Sequence, residues 1–365
     1  MTVMVLALAG AIGCDLVEEE EDGLRRVSTS QTSDAQGTVS FTFNVADDED
    51  AFLLTAEVPG NGYAVVYELV DPDGETVVDA EKLWTQVTSR TGGVYPAGVV
   101  SVNWPIQASD GDLKAGRWTA VIRTTDAEYY YKPGVETAID VLKKTDNAFA
   151  DGGLDIRIFY AGGVDQDPAF VASTEAATEY WKEMYANIGL EADFTFQSWQ
   201  NGALPPPGEG AEAEYEAIAN ASSLSTVNVV IVPSIDGYEG GGLYGIAGGI
   251  PGPLVPTGNS AVTVDALTNA GPDMVFNDAE LQLYGETMAH EVGHFIGLFH
   301  PVETDYAYFD AVDDTPQCNN RNSCEADLGG NLMFPYPVCT FSSCVQQDDL
   351  SAGQGEIAQR YAGVD

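Results

Sequence analysis

From residue 38 to about 141, apolar and polar side chains alternate in short runs closed by turns. Thr38-Val-Ser-Phe-Thr-Phe-Asn-Val45 has period two, as do residues 63–69, 99–104 and 118–124. Period two sends successive side chains to opposite faces of a strand, so each run predicts a strand with one buried face. Pro59-Gly60-Asn61-Gly62, Asp71-Pro72-Asp73-Gly74 and Lys114-Ala115-Gly116 separate the runs and supply turn residues. The layout predicts an antiparallel β-sandwich over residues 38–144. This stretch holds no His and its carboxylates lie mainly in turns, so no chemistry is expected there.

Residues 145–153 read as a linker, after which the pattern changes. Residues 154–160 predict a strand. Ala177, Tyr180, Trp181, Met184, Tyr185 and Ile188 recur at helical spacing and predict a helix whose aromatic stripe packs on a sheet. Residues 194–199 and 261–267 predict further strands. Val227-Asn-Val-Val-Ile-Val232 is nearly continuous in apolar residues, as a strand buried on both faces would be. Residues 236–259 are rich in Gly and Pro, yet residues 243–250 within them are too apolar for a solvated loop and predict an edge strand. Residues 280–299 predict a helix, with Leu281, Tyr284, Met288, Val292 and Phe295 as its apolar stripe.

Inside that helix lies His290-Glu291-Val292-Gly293-His294, followed by Gly297 and His300. Helix residues four apart share a face, so two imidazoles can grip one metal ion with Glu291 beside them. Gly297 permits a sharp exit from the helix that returns His300 to the same ion. Three His ligands leave a fourth tetrahedral position open, the mark of a catalytic zinc site. Glu291 is then the general base toward water attacking a peptide carbonyl. The chain has only 3 His and all lie in this string. A buried core imidazole explains one histidine far better than three at ligand spacing.

The string resembles the zinc motif of the metzincin metallopeptidases, and among them the pappalysins. The resemblance extends over residues 154–365. Asp313-Asp314-Thr315-Pro316 follows the third His, as in that family. Asn331-Leu332-Met333 and the next aromatic resemble its Met-turn, in which Met333 floors the zinc site. Residues 350–354 resemble the start of its C-terminal helix. The family places Tyr two residues after the Met. Here Pro335 stands there, and Tyr336, one further on, is the candidate for steadying the transition state. The resemblance also implies a substrate bound as an added strand along a sheet edge, assigned to Leu243, Tyr244, Gly245, Ile246 and Ala247. Asp305, Asp310, Asp313 and Asp314 crowd the segment after His300, where the family often carries calcium; hard carboxylate oxygens suit Ca²⁺. Residues 113–122 resemble the penultimate strand of small β-sandwich domains that accompany secreted bacterial proteases.

Composition narrows the setting. With 57 acidic against 14 basic residues the formal net charge is -43. Such a surface repels phosphate backbones, so no nucleic-acid partner is expected. Residues 1–13 are small and apolar, short of the roughly 20 needed to cross a bilayer but suited to a signal peptide. Ala11-Ile12-Gly13-Cys14 resembles a bacterial lipobox, with Cys14 as the lipidated residue. Residues 14–37 read as an acidic and polar tether. Cys318, Cys324, Cys339 and Cys344 contain no C-x-x-C pair and in an exported chain read as two disulfides, with three pairings open.

The expectation is a multidomain chain: an N-terminal antiparallel β-sandwich followed by an α+β metzincin-type zincin catalytic domain over residues 154–365. It would be a zinc endopeptidase acting on proteins or peptides, exported to a bacterial cell envelope through a lipid anchor, or secreted. The alternative is a non-catalytic surface-binding lipoprotein retaining the zincin fold. Glu291 discriminates, because a binder has no need of it. Latency through a thiol on the zinc would need an unpaired upstream Cys, and only Cys14 is available.

Overall fold

The computed structural model describes residues 17–21, 23–60, 62–126, 128–145, 149–200, 204–235, 242–271, 273–339 and 344–365. The expected signal peptide over residues 1–13 and the lipidation site Cys14 lie outside the described residues.

The N-terminal strands are β1 (Val17–Glu21), β2 (Leu24–Thr32), β3 (Thr38–Val45), β4 (Ala51–Glu57), β5 (Tyr63–Val70), β6 (Thr76–Asp79), β7 (Thr88–Ser89), β8 (Val99–Trp104), β9 (Gly116–Thr125) and β10 (Glu136–Lys144). They form two antiparallel sheets, ordered β1-β2-β10-β4-β8 and β3-β9-β5-β6, with β7 apart from both. Inward side chains from the two sheets share one core. At its centre the Phe52 ring of β4 meets Trp118 of β9 edge-on at 5.3 Å.

The tether expected over residues 14–37 is corrected from Leu24 onward. Here β2 pairs along β10 from Leu24↔Lys144 to Thr32↔Glu136. Leu24, Val27 and Thr29 are buried while Arg25, Arg26 and Ser28 stay partly exposed. Two apolar residues in nine suffice because the ladder, and not composition, satisfies the backbone.

The second unit opens with β11 (Gly153–Tyr160) and α1 (Pro168–Ala186). β12 (Glu191–Ser198), α2 (Glu212–Asn220), β13 (Val227–Val232), β14 (Gly245–Ala247) and β15 (Val262–Asp265) follow. The sheet order is β12-β11-β13-β15-β14. The first four strands are parallel and β14 runs antiparallel to β15 at the edge. Helices α1 and α3 (Asp278–Phe295) cover one face, and α2 covers the other. β13 explains its apolar run: Val227, Val229 and Ile231 point to one core, Val230 and Val232 to the other.

The two units meet along a continuous seam. Leu24, Leu53 and Leu142 of the first enter the core of the second. The Asn103 amide donates to Arg360 O at 2.7 Å and accepts from Ala362 N at 3.1 Å. β7 pairs in parallel with β16 (Phe309–Asp310), a two-residue strand beyond the third His.

Candidate metal centre

Helix α3 starts with a capping box, the Asn277 side chain accepting from Ala279 N and Glu280 N while Glu280 reaches back to Asn277 N. It ends at Phe295, where the apolar stripe ends and short of the predicted residue 299. Gly297 takes φ +107, a conformation that L side chains resist. Gly297 N donates to His294 O and Leu298 N to Gly293 O, both at 2.9 Å. This Schellman closure satisfies the last carbonyls of the helix. It turns the chain so that His300 comes back over the helix end.

The structure brings His290, His294 and His300 together, their ligand atoms all within 4.8 Å of one another. Each Nδ1 is engaged: that of His290 with Leu332 O at 2.7 Å, that of His294 with Leu298 O at 2.7 Å, and that of His300 with Glu303 Oε2 at 3.0 Å. These partners leave Nε2 to point inward, and His294 Nε2 lies 3.1 Å from His300 Nε2. Burial, reinforced by the His300 ring, pushes the His290 imidazole down to about 3 and lowers His294 well below the usual range. Both are held neutral, the form that binds metals. A three-imidazole donor set with each Nδ1 engaged fits zinc.

Glu291 is buried beside the imidazoles. Burial pushes its carboxyl up to about 8, opposed by the amide of Ala247. That amide belongs to β14, which runs against α3. A β-carbon on Gly245 would stand 2.6 Å from Glu291 Cγ, so only glycine lets the strand pass here. Leu243, Tyr244 and Gly245 line a cavity of about 120 Å³ beside His290 and Glu291. Ile246 and Ala247 continue the strand beyond it. Met333 is fully buried, its Sδ 2.5 Å from where a β-carbon on Gly293 would stand, so it packs against the motif helix between the first two His. Tyr336 lines the same cavity, its hydroxyl 2.8 Å from that of Tyr306.

The four aspartates expected to hold calcium do not converge. Among the described residues the three His are the only group of three or more close His, Cys, Asp or Glu side chains. Asp305 accepts from Ala307 N, Asp310 from Thr315 Oγ1, and Asp314 from Gly353 N at the start of the last helix. Asp313 is exposed. Closeness in sequence was spent on separate turns. The disulfides pair Cys318 with Cys324 and Cys339 with Cys344.

Sequence reading missed three groups at the site. Leu283, Glu286 and Thr287 also line the cavity, one and two turns before His290, and the helical period could have found them. Gln347 was beyond its reach: its amide N–H reaches Glu286 Oε1 at 3.1 Å from a segment 61 residues away. Glu303 had a signal, a carboxylate three residues after the third His.

No known family's sequence profile matches the chain. An extracellular metalloprotease of Arthroderma otae is 25% identical over 158 residues, 41% of this chain and 56% of the relative. The chain thus spans about half the length of that relative. Archaemetzincin from Methanopyrus kandleri aligns with 57% of this chain and 88% of its own, at 14% identity and a TM-score of 0.27. Metalloproteinase-II from Bacteroides fragilis aligns with 86% and 80% respectively, at 11% identity and a TM-score of 0.29.

Proposed function

We propose that the chain is a zinc-dependent endopeptidase with a metzincin-type, pappalysin-like catalytic unit over residues 154–365 and an N-terminal β-sandwich. The observation that carries this reading is the convergence of three imidazoles with the Glu291 carboxyl beside a sheet edge. The similarity to the fungal extracellular metalloprotease supports it.

His290, His294 and His300 hold the metal in this reading. When bound, zinc supplies a Lewis acid that polarises a peptide carbonyl and acidifies water. The edge of β14 pairs with an extended substrate backbone and brings its carbonyl to the imidazoles. Glu291 takes a proton from the attacking water as the oxygen–carbon bond forms. It then delivers that proton to the amide nitrogen as the carbon–nitrogen bond breaks. Met333 keeps the floor apolar, and Tyr336 faces the bound chain from the cavity wall.

Paired measurements of zinc content and cleavage of unfolded protein test the mechanism. Glu291→Ala keeps its zinc and loses about 10²–10⁴-fold in hydrolysis, whereas His300→Ala loses both. A wild type that cleaves no better than Glu291→Ala removes the mechanism.

We also read the chain as exported and held at a membrane by lipid on Cys14. The two disulfides support an oxidising compartment. Cys14→Ser shifts the protein from the detergent phase to the aqueous phase and lowers its mature mass; no change in either sinks the anchor.

A further inference from the structure

The three imidazoles are not oriented in the same way. His290 and His294 sit on α3 and give Nδ1–H to main-chain carbonyls, Leu332 O and Leu298 O. Their rings are fixed by the helix and by neutral acceptors that no side-chain substitution removes. His300 lies beyond Gly297, off the helix, and its Nδ1 faces the side chain of Glu303 at 3.0 Å. The backbone builds that approach. Glu303 N donates to Tyr308 O and Glu303 O accepts from Tyr306 N, both at 2.9 Å, which closes a tight turn. Val302, fully buried in a small cluster with Cys318, Cys324 and Phe334, anchors the chain just before Glu303. The turn continues into β16, where Phe309 N donates to Val87 O at 2.9 Å. The carboxylate is thus presented to the imidazole from a fixed loop while its outer side remains partly open to solvent.

We propose that Glu303 is the positioning residue of His300: its carboxylate fixes the Nδ1–H tautomer, aims Nε2 at the other two imidazoles and strengthens that ring as a donor to the metal. The proposal rests on the reading of the three His as zinc ligands. It makes His300 the one ligand whose orientation a single half-buried side chain controls. Carboxylate partners of this kind raise ligand basicity, and losing one typically costs 10–100-fold in metal affinity. Glu303→Gln keeps an acceptor and removes the charge, so it separates orientation from basicity.

The test uses the full chain, stripped of metal and titrated with zinc against a chromophoric chelator. Glu303→Ala weakens zinc binding roughly 10–100-fold, and Glu303→Gln weakens it less. A second readout is taken on metal-free protein with ¹⁵N-labelled histidine. His300 is the Nδ1–H tautomer in the wild type and a mixture of tautomers in Glu303→Ala, with His290 and His294 unmoved. Zinc affinity of Glu303→Ala within twofold of the wild type, with an unchanged His300 tautomer, overturns the proposal. A wild type that binds no zinc removes the metal reading instead, and the tautomer of His300 then still decides whether Glu303 orients it.

Discussion

Strand β4 of the first unit and strand β13 of the second are both buried along nearly their whole length, yet they lie in different kinds of sheet. β4 sits between antiparallel neighbours, β10 and β8. Its core is sealed by aromatic rings packed across the gap between the two sheets. β13 sits between parallel neighbours, β11 and β15. Parallel pairing demands long crossovers, which supply helices for both faces. Beside α1 packs α3, which follows the last strand of the sheet and offers what strands do not: residues four apart on one face and a helix end that can be turned sharply. The same sheet ends in a short antiparallel strand, β14, which leaves a backbone edge beside that helix. The proposed chemistry sits in the second unit because its topology brings the imidazole-bearing helix together with an edge strand that has no outer partner among the described residues.

The comparison can be broken most directly by emptying each core. Trp118 and Trp181 are both fully buried, one in each unit. Replacing either by Ala costs about 3–5 kcal/mol. Because Leu24, Leu53 and Leu142 join the second unit's core, both substitutions lower one shared calorimetric transition. Two separate transitions, each moved by only one of the substitutions, would show that the seam does not couple the units.

A smaller effect sharpens the picture at the seam itself. Asp310, on the strand that pairs with β7, is 5% exposed, and its Oδ2 has no partner among the described residues. Burial pushes its carboxyl up to about 7, opposed by the Thr315 hydroxyl. The folded chain therefore keeps a proton that the unfolded chain, with an ordinary pKa near 4, releases. This contribution is fully present below about pH 4 and is lost as pH rises toward about 7. At roughly 1.4 kcal/mol per pKa unit, the loss is on the order of 2–4 kcal/mol. Metal-free Asp310→Asn, compared with the wild type in melts from pH 4 to 8, should lose that part of the decline. Identical slopes for the two proteins would remove Asp310 as its source.

The site was more legible in the sequence than the scaffold, for physical reasons. His290, His294, Gly297 and His300 act through local geometry, one helical turn and one left-handed exit, so spacing alone specified them. β13 was legible because burial on both faces leaves no polar position. β2 was not, since its partner β10 lies far along the chain and its polar residues resemble a tether. β10 ends in Lys143 and Lys144, both buried, which no apolar pattern announces; Lys143 is matched by Glu49 at 3.0 Å. The aspartates after His300 misled for the opposite reason: they are neighbours in the chain, but Asp305, Asp310 and Asp314 bond different partners and Asp313 is exposed.

On the proposed reading, the edge of β14 would also limit what can be cut. A segment that pairs with it must offer a line of free amides and carbonyls, which a residue inside a helix or a central strand has already committed. Cleavage of a native protein would then track how often a stretch of its backbone comes loose, not how often a preferred residue occurs in it. Two targets with the same local sequence and different local stability would be consumed at different rates.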